Sequence, residues 1–492
     1  MPDQIKVRGH NFPDLEPQNS EEVAEVAQLT DVDSFPKRGI IIAIVAALIA
    51  FALYNVLPFE PNVKKGLALL AFIAIMWLTE AVHITITALM VPVLAVAIGI
   101  GKFGKDGEFT ALTLKNALAN FANPTIFTFF GGFALATALH MQKLDKKIAT
   151  WLIQKAGGRL GVAAILICIT TALLSMWVSN TATAAMMLPL ALGICANLDA
   201  KKKEDRGTIV FLLLGIAYSA SIGGLGTIVG SPPNIIAAEA LGWNFADWMK
   251  VGLPVMLLML PLMLVVLYLV FRPNLNHKVE IELEEIPWNN KRILTVIVFV
   301  ITAFAWIFSK DISKVIGFKI DDSYVAVCAA IAVVMLGLAK WHDVAENTEW
   351  GVLMLFGGGL TLSAVLGMSG ASGVLGNLVA DTFKDAPVYL VLLVTAVFII
   401  CLTEFTSNTA SAALLVPVFA GVAAHMGLPK ETLTIVIGIG ASCAFVMPVA
   451  TPPNALVFGT GMIKQMDMIK AGAYLAFAGA VIVSLYVYLF FA

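Results

Sequence analysis

The chain has 492 residues, of which 59% are hydrophobic and 13% are charged, and its formal net charge is −2. Soluble globular domains carry about 25% charged residues. This composition excludes a disordered chain, a fibrous protein and a disulfide scaffold, and it is not that of a soluble enzyme. Since a membrane helix needs about 20 apolar residues, we predict an all-α polytopic membrane protein.

Residues 1–36 form an acidic segment with eight carboxylate side chains and two basic ones. The segment lacks the apolar stretch of a secretory signal peptide, and its composition is typical of a solvated arm. Lys37 and Arg38 follow it directly. Because positive residues beside a first span stay in the cytoplasm, we predict that residues 1–36 are a cytoplasmic tail.

The apolar segments after this tail predict about eleven transmembrane helices. They cover residues 39–58, 62–82, 84–101, 123–141, 207–240, 251–271, 291–309, 323–339, 349–369, 431–463 and 470–491. An odd number of spans puts the C-terminus outside and a linker at 272–290 in the cytoplasm, which the basic residues of the joints moderately favour. Residues 144–157 predict an amphipathic helix at the membrane interface; the alternative is an ordinary cytoplasmic loop helix.

Two further apolar segments, about 160–197 and about 387–426, carry a Ser-Asn-Thr tripeptide at their middle. Three polar residues at the centre of a single span are costly. We therefore predict two re-entrant hairpins that turn at the tripeptides, which requires surrounding protein or water.

Three sequence blocks occur twice in the same order. Residues 130–132 match 356–358, residues 179–189 match 407–417, and residues 230–234 match 450–454, with offsets of 226, 228 and 220 residues. The chain is thus predicted to contain a first repeat half at 37–271, which includes a leading helix, and a second half at 291–492. In the predicted topology the hairpins enter from opposite sides, so the repeat is inverted. Inverted repeats with interrupted helices indicate a secondary transporter.

Each tripeptide lies at a predicted helix start. Serine and asparagine are good N-caps, and the alanines that follow are strong helix formers. A helix N-terminus offers free N–H groups and a partial positive charge. Two such tips that meet near the membrane midplane would bind an anion with two acidic ends.

The Pro-Pro pairs at 232–233 and 452–453 interrupt the apolar segments 207–240 and 431–463. Proline lacks a backbone N–H, which predicts two broken helices; the alternative is a simple proline kink. Freed carbonyl groups can coordinate a cation, while the next half-helix points its N-terminus at the substrate. These blocks contain hydroxyl, amide and carbonyl oxygens but no Asp or Glu to carry a proton, which favours sodium coupling over proton coupling.

Over residues 38–492 these paired motifs resemble the divalent anion/sodium symporter family, and within it bacterial sodium/dicarboxylate symporters of the INDY type. The resemblance implies a homodimer with a scaffold domain and a transport domain that moves as an elevator. It also implies import of C4-dicarboxylates such as succinate, fumarate and malate with Na⁺ across the inner membrane. The alternatives are a sodium-independent dicarboxylate exchanger and an anion channel.

The resemblance also implies the residues of three binding sites. The first Na⁺ site would use Ser175, Ser179, Asn180 and Gly230. The second Na⁺ site would use Thr403, Thr406, Asn408 and Ala450. The substrate would contact Ser179, Asn180, Thr181, Ser231, Ser407, Asn408, Thr409 and Thr451.

Other chemical signals are weaker. Glu80 and His83 have the spacing of a metal-ligand pair, but the further carboxylates and second pair that such a site needs are missing. Glu404 is an intramembrane carboxylate, which either holds the hairpin in place or tunes cation binding, and core packing is expected for Trp177 and Phe405. The sequence contains no phosphate loop, nucleophile motif or nucleic-acid-binding basic patch, so we predict no enzymatic activity and no nucleic-acid partner.

Overall fold

The structure is a computed structural model that describes residues 37–103, 108–196, 198, 202–276, 286–383 and 386–492. The predicted acidic tail at 1–36 lies outside the described residues, as does part of the predicted linker at 272–290. The described residues are mostly helical, as the composition predicts.

The first half contains α1 to α11 and one pair of strands. The helices are α1 (Lys37–Val56), α2 (Pro61–Leu78), α3 (Ile84–Ala97), α4 (Leu114–Leu118), α5 (Pro124–Met141), α6 (Leu144–Lys155), α7 (Leu160–Ser175), α8 (Asn180–Cys195), α9 (Lys203–Gly223), α10 (Pro232–Leu241) and α11 (Phe245–Phe271). The strands are β1 (Gly101–Phe103) and β2 (Phe109–Ala111), which pair antiparallel with Lys102 opposite Thr110.

The second half contains α12 to α22. They are α12 (Asn290–Ile307), α13 (Ser309–Ile316), α14 (Asp322–Met335), α15 (Trp341–Asn347), α16 (Trp350–Ser369), α17 (Ala371–Thr382), α18 (Val388–Thr403), α19 (Asn408–His425), α20 (Lys430–Gly440), α21 (Pro452–Phe458) and α22 (Gln465–Phe491). Short 3-10 turns at Ala119–Ala122, Gly224–Gly226 and Pro448–Ala450 complete the helical part.

Nine helical segments within the described ranges are long and apolar enough to cross a membrane. The helices at two predicted spans, 84–101 and 323–339, are shorter than predicted. They are α3 and α14, and each has 14 residues. Two residues after the last residue of each helix lies a glycine with positive φ, Gly99 at 66° and Gly337 at 63°. The amide of the following residue bonds back into the last turn, from Ile100 to Ala95 and from Leu338 to Val333, at 3.0 Å in both cases. A glycine in the left-handed conformation at this position ends a helix. The total of eleven transmembrane spans stays a prediction.

The prediction of an all-α chain misses the strand pair β1–β2. The predicted span 84–101 ends early, and its last residue, Gly101, already belongs to β1. Asn62 of α2 holds this strand, since its side chain donates to the Gly101 carbonyl at 2.7 Å and accepts from the Gly101 amide at 3.3 Å. A contact across 39 residues leaves no periodic signal in the sequence.

The two segments with a Ser-Asn-Thr tripeptide each fold as two helices that are joined at the tripeptide. In α7–α8 the second helix begins at Asn180, and in α18–α19 it begins at Asn408. The preceding serine caps each second helix, because Ser179 accepts from the Ala182 amide and Ser407 from the Ala410 amide, both at 3.3 Å. Whether these pairs re-enter the membrane stays a prediction.

Both predicted broken helices are interrupted in the structure. In the first, α9 ends at Gly223 and α10 begins at Pro232; in the second, α20 ends at Gly440 and α21 begins at Pro452. The prolines occupy the first turn of the new helix, where a missing N–H costs nothing. Each break is therefore a segment of several residues that contains a short 3-10 turn and separates two α-helices, and neither is a kink within one continuous helix.

The two halves interlock around α9, whose membrane-length segment is fully buried. Helix α8 of the first tripeptide pair packs against α21 of the second half, and α19 of the second pair packs against α10 of the first. Tyr218 of α9 bonds across the halves, with its hydroxyl donating to the Phe445 carbonyl at 2.8 Å. Each tripeptide thus lies beside the broken helix of the other half.

Candidate functional site

One cavity of about 690 Å³ collects both tripeptides and both Pro-Pro breaks. Its lining includes all eight residues that the resemblance assigns to the substrate: Ser179, Asn180, Thr181, Ser231, Ser407, Asn408, Thr409 and Thr451. Residues more than 200 positions apart therefore meet in one place. The structure shows that these residues line the same cavity. Their contact with a substrate stays a prediction.

Four of the described helices begin at the tripeptides and Pro-Pro pairs, and the N-cap of each lines this cavity. Their N-caps are Ser179 for α8, Ser231 for α10, Ser407 for α19 and Thr451 for α21. Because each N-terminus carries a partial positive charge and free N–H groups, the cavity wall is suited to an anion. Its described lining contains no Lys or Arg but includes Glu80 and Glu349, so a bound dianion needs a cation beside it.

The predicted first Na⁺ site is assembled around Asn180. The Ser175 hydroxyl lies 2.7 Å from both the Asn180 side-chain oxygen and the Ala220 carbonyl. When the Asn180 amide is turned over, its nitrogen donates to the carbonyls of Gly230 at 3.2 Å and Ala220 at 3.0 Å. The same amide thus presents either an oxygen or a nitrogen to two carbonyl oxygens, and a cation at this position requires the oxygen.

The second predicted Na⁺ site repeats this arrangement. The Thr403 hydroxyl donates to the side-chain oxygen of Asn408 and lies 3.0 Å from the Ala441 carbonyl. Ala450 lines the cavity. The hydroxyl of Thr406 is directed elsewhere, since it bonds to the Leu402 carbonyl at 2.9 Å and the Ser411 hydroxyl at 2.8 Å. In the first site the Ser179 hydroxyl is likewise used for helix capping.

The sequence interpretation missed the carbonyls of Ala220 and Ala441. Each accepts from the hydroxyl that also bonds the tripeptide asparagine, from Ser175 in one half and Thr403 in the other. These alanines lie near the C-terminal ends of α9 and α20, just before the breaks. A signal was available, because their separation of 221 residues is close to the offset of the Pro-Pro blocks.

A second missed pair consists of the asparagines that close the Pro-Pro-Asn motifs. The amide of Asn234 donates to the carbonyls of Gly224 and Thr227, both at 2.7 Å. The amide of Asn454 donates to Ala444 at 3.3 Å and Met447 at 3.1 Å. Both asparagines are fully buried. Each one therefore ties its new half-helix to the open segment before it and fixes the shape of the break.

We expect Asn234→Ala to destabilise the protein without removing any group from the cavity wall. Two buried carbonyls lose their partner, which costs about 1–3 kcal/mol for each group left unsatisfied. The midpoint of thermal unfolding in detergent should fall by several degrees, and Asn454→Ala should have a smaller effect because its bonds are longer. Asn347→Ala is the matched control, since Asn347 is exposed and donates to the Asp343 carbonyl at 2.7 Å. Equal midpoints for Asn234→Ala and this control would contradict the assignment.

Glu404 is 4% exposed and binds the open segment of the second broken helix. Its two carboxylate oxygens accept hydrogen bonds from three successive backbone amides, those of Phe445, Val446 and Met447, at 2.8–3.0 Å. This contact supports the interpretation that Glu404 holds the hairpin in place, because it joins the end of α18 to the break. The first half has Met176 at the corresponding position, so the contact made by Glu404 has no equivalent from that position in the first half.

Three other sequence expectations can be compared with the structure. Trp177 packs as expected, with ring centroids 5.8 Å from Phe245 and 4.9 Å from Phe299. Core packing is wrong for Phe405, which is 73% exposed and lines the cavity, because the turn before Ser407 directs it into the open space. His83 caps α3 by accepting from the Thr85 amide, and the described residues contain no cluster of three or more His, Cys, Asp or Glu side chains that would hold a metal.

Comparison with known proteins agrees with this architecture. The profile of the family described as "Sodium:sulfate symporter transmembrane region" matches residues 35–492. A protein of Haemophilus influenzae named "Uncharacterized transporter" is 54% identical over 92% of this chain and 97% of its own length. The "Sodium-dependent dicarboxylate transporter SdcS" of Staphylococcus saprophyticus is 31% identical over 92% of this chain and 91% of its own.

Among solved structures, the YdaH transporter of Alcanivorax borkumensis has a similar fold. It aligns with a TM-score of 0.56 and 15% sequence identity, covering 83% of this chain and 99% of its own. At this identity the likeness concerns the fold alone. The match over nearly the whole described region, together with these relatives, shows that the chain is a multi-pass membrane protein and belongs to the sodium:sulfate symporter transmembrane family.

Proposed function

We propose that the protein is a secondary active transporter that imports C4-dicarboxylates together with Na⁺. The observation that carries the proposal is the single cavity in which two tripeptides, two Pro-Pro breaks and four helix N-termini meet. Each half supplies a tripeptide helix N-terminus that suits an anion and, beside it, a group of oxygen atoms that suits a cation. This arrangement fits a substrate with two carboxylates and a coupling cation. The relatives named as sodium-dependent dicarboxylate transporters support the same substrate class.

In this proposal each carboxylate of succinate, fumarate or malate is held by one half of the site. Backbone N–H groups of α8 and α19, with the hydroxyls and amides of the tripeptides, bind the carboxylate oxygens. Apolar side chains also line the cavity, namely Val229, Val449, Phe129, Phe133 and Phe405. They suit the short carbon chain of a dicarboxylate, whereas sulfate has no apolar part to place against them.

Two Na⁺ ions complete the proposed site. One is held by the side-chain oxygens of Ser175 and Asn180 with the carbonyls of Gly230 and Ala220. The other is held by Thr403 and Asn408 with the carbonyls of Ala450 and Ala441. Hydroxyl, amide and carbonyl oxygens from an unwound helix are the ligands that Na⁺ finds in transporters.

The larger architecture belongs to the same proposal. The pairs α7–α8 and α18–α19 act as re-entrant hairpins of an inverted repeat, and a transport domain that contains them moves as an elevator against a scaffold domain. The protein works as a homodimer in the inner membrane, with its N-terminus in the cytoplasm and its C-terminus outside. Support comes from the interlocking of each hairpin with the broken helix of the other half.

Proteoliposomes test the proposal directly. With an inward Na⁺ gradient, labelled succinate should accumulate and saturate, and replacement of Na⁺ by choline should remove the uptake. Uptake that is unchanged in choline and depends on dicarboxylate inside the vesicles would identify an exchanger. Flux that fails to saturate and shows no counterflow would identify a channel, and either result would overturn symport.

A further inference from the structure

A second, larger cavity of about 1040 Å³ shares no lining residue with the cavity that collects the tripeptides. It is bounded by α6, by α7 of the first hairpin, by α12 and by the segment Ile286–Trp288. Its walls are mainly apolar. Several of the side chains that form them are exposed, among them Trp151 at 56% and Leu173 at 49%. In a membrane protein, exposed apolar side chains of this size face lipid rather than water.

One edge of this groove is basic and aromatic. Lys147 and Trp151 of α6 line this edge, and Lys155 lies one turn after Trp151 on the same face of the helix, outside the lining. The Lys147 ammonium lies 4.7 Å from the centroid of the Trp288 ring, and the Lys155 ammonium lies 5.7 Å from that of Trp151. Tryptophan and lysine side by side are typical of the level of the lipid headgroups.

The described lining of the groove contains no Asp or Glu. The nearest acid on α6, Asp145, is buried and accepts from the Lys146 amide and the His140 ring. Among the described residues of the groove wall no carboxylate faces Lys147, whose ammonium donates to the Ile286 carbonyl. Thr150 and Gln154 add polar groups on the same stretch of α6.

We propose that this groove binds one anionic phospholipid, with its acyl chains against α7 and α12 and its headgroup phosphate at Lys147. Apolar walls with a basic, aromatic edge are complementary to such a lipid and to no soluble dicarboxylate. Basic pockets between membrane helices are known to take anionic headgroups. The wall also includes Trp177 and Val178, so the bound chains pack against the hairpin directly before Ser179.

Native mass spectrometry of the purified full chain tests this proposal. We expect the protein to retain one phosphatidylglycerol at concentrations where phosphatidylcholine with the same acyl chains is lost, with about tenfold tighter binding. Leu173→Trp fills the groove and should weaken retention of both lipids at least about tenfold. Lys147→Gln leaves the apolar walls intact and should remove only the preference for phosphatidylglycerol.

Two matched variants serve as controls. Ile165→Trp is on the same helix and similarly exposed, at 40%, but lies outside the groove. Lys64→Gln removes another lysine above an aromatic ring, 5.9 Å from the centroid of Tyr54. Both should bind lipid as the wild type does. Wild-type retention in Leu173→Trp, or the same lipid preference in Lys147→Gln, would overturn the proposal. Thermal stabilisation by inorganic phosphate alone, equal to that by phosphatidylglycerol, would also overturn it, because it would mark a site for free anions.

Discussion

Asn180→Ala and Asn408→Ala are each expected to abolish Na⁺-dependent succinate uptake while the protein still folds and reaches the membrane. Each asparagine belongs to one of the two proposed cation sites and also lines the cavity, so its removal should weaken the binding of both Na⁺ and substrate. A hydrogen bond to a charged group contributes about 1.5–3 kcal/mol. Loss of two such interactions corresponds to a decrease of at least about 100-fold in uptake at fixed substrate concentration.

The control for this pair is Asn55→Ala. Asn55 also lies on a membrane helix and its amide bonds the Phe51 carbonyl at 2.7 Å, but it is outside the cavity. Uptake should be normal in this variant, and size-exclusion chromatography in detergent should give the same elution for all three proteins. Normal uptake in Asn180→Ala or Asn408→Ala would show that the tripeptides are not the binding site.

Glu404→Gln is expected to raise the Na⁺ concentration needed for half-maximal uptake and to lower thermal stability. The side chain of glutamine keeps one acceptor oxygen. Its NH₂ group is a donor, so it cannot accept from the backbone N–H groups that it then faces. Hydrogen bonds to a charged acceptor contribute about 1.5–3 kcal/mol each, so several are weakened together. Because the segment 445–447 leads directly to Ala450, the second cation cluster should be distorted more than the first.

The comparison that isolates this effect is Glu346→Gln. Glu346 is exposed and pairs with His342 at 3.1 Å on the surface, where removal of a charge costs little. We expect Glu404→Gln to shift the sodium dependence of uptake by about tenfold or more and Glu346→Gln to leave it unchanged. Unaltered sodium dependence and stability in Glu404→Gln would mean that the three amides do not need the carboxylate.

The parts of the site that follow from sequence are those with a strong local signal. Ser179 and Ser407 were recognisable as N-caps because serine precedes an alanine-rich stretch in both copies. The Pro-Pro pairs that begin at Pro232 and Pro452 indicate the starts of new half-helices because proline lacks a backbone N–H and is best accommodated in the first turn of a helix. The nearly constant spacing between copies predicts that equivalent residues take equivalent places, and the cavity brings them together.

The parts that sequence did not reveal depend on long-range contacts. The bonds of Glu404 to the amides at 445–447 and of Tyr218 to the Phe445 carbonyl join residues that are far apart in the chain. The hydrophobic periodicity of a sequence predicts local secondary structure and does not predict which distant residues form a hydrogen bond. The prediction of core packing for Phe405 is wrong for a related reason. The turn geometry before Ser407 outweighs the general preference of a large apolar side chain for the interior.

The central claim is that one cavity binds the dicarboxylate and Na⁺ together, and equilibrium binding measures this without transport. Isothermal titration of the purified protein with succinate at increasing Na⁺, with ionic strength held constant by choline, gives the succinate Kd at each concentration. Linkage requires that a cation bound beside the substrate lower this Kd. We predict that the Kd falls steeply as Na⁺ rises and that Asn180→Ala and Asn408→Ala remove the dependence. A succinate Kd that is the same in Na⁺ and in choline would contradict the account.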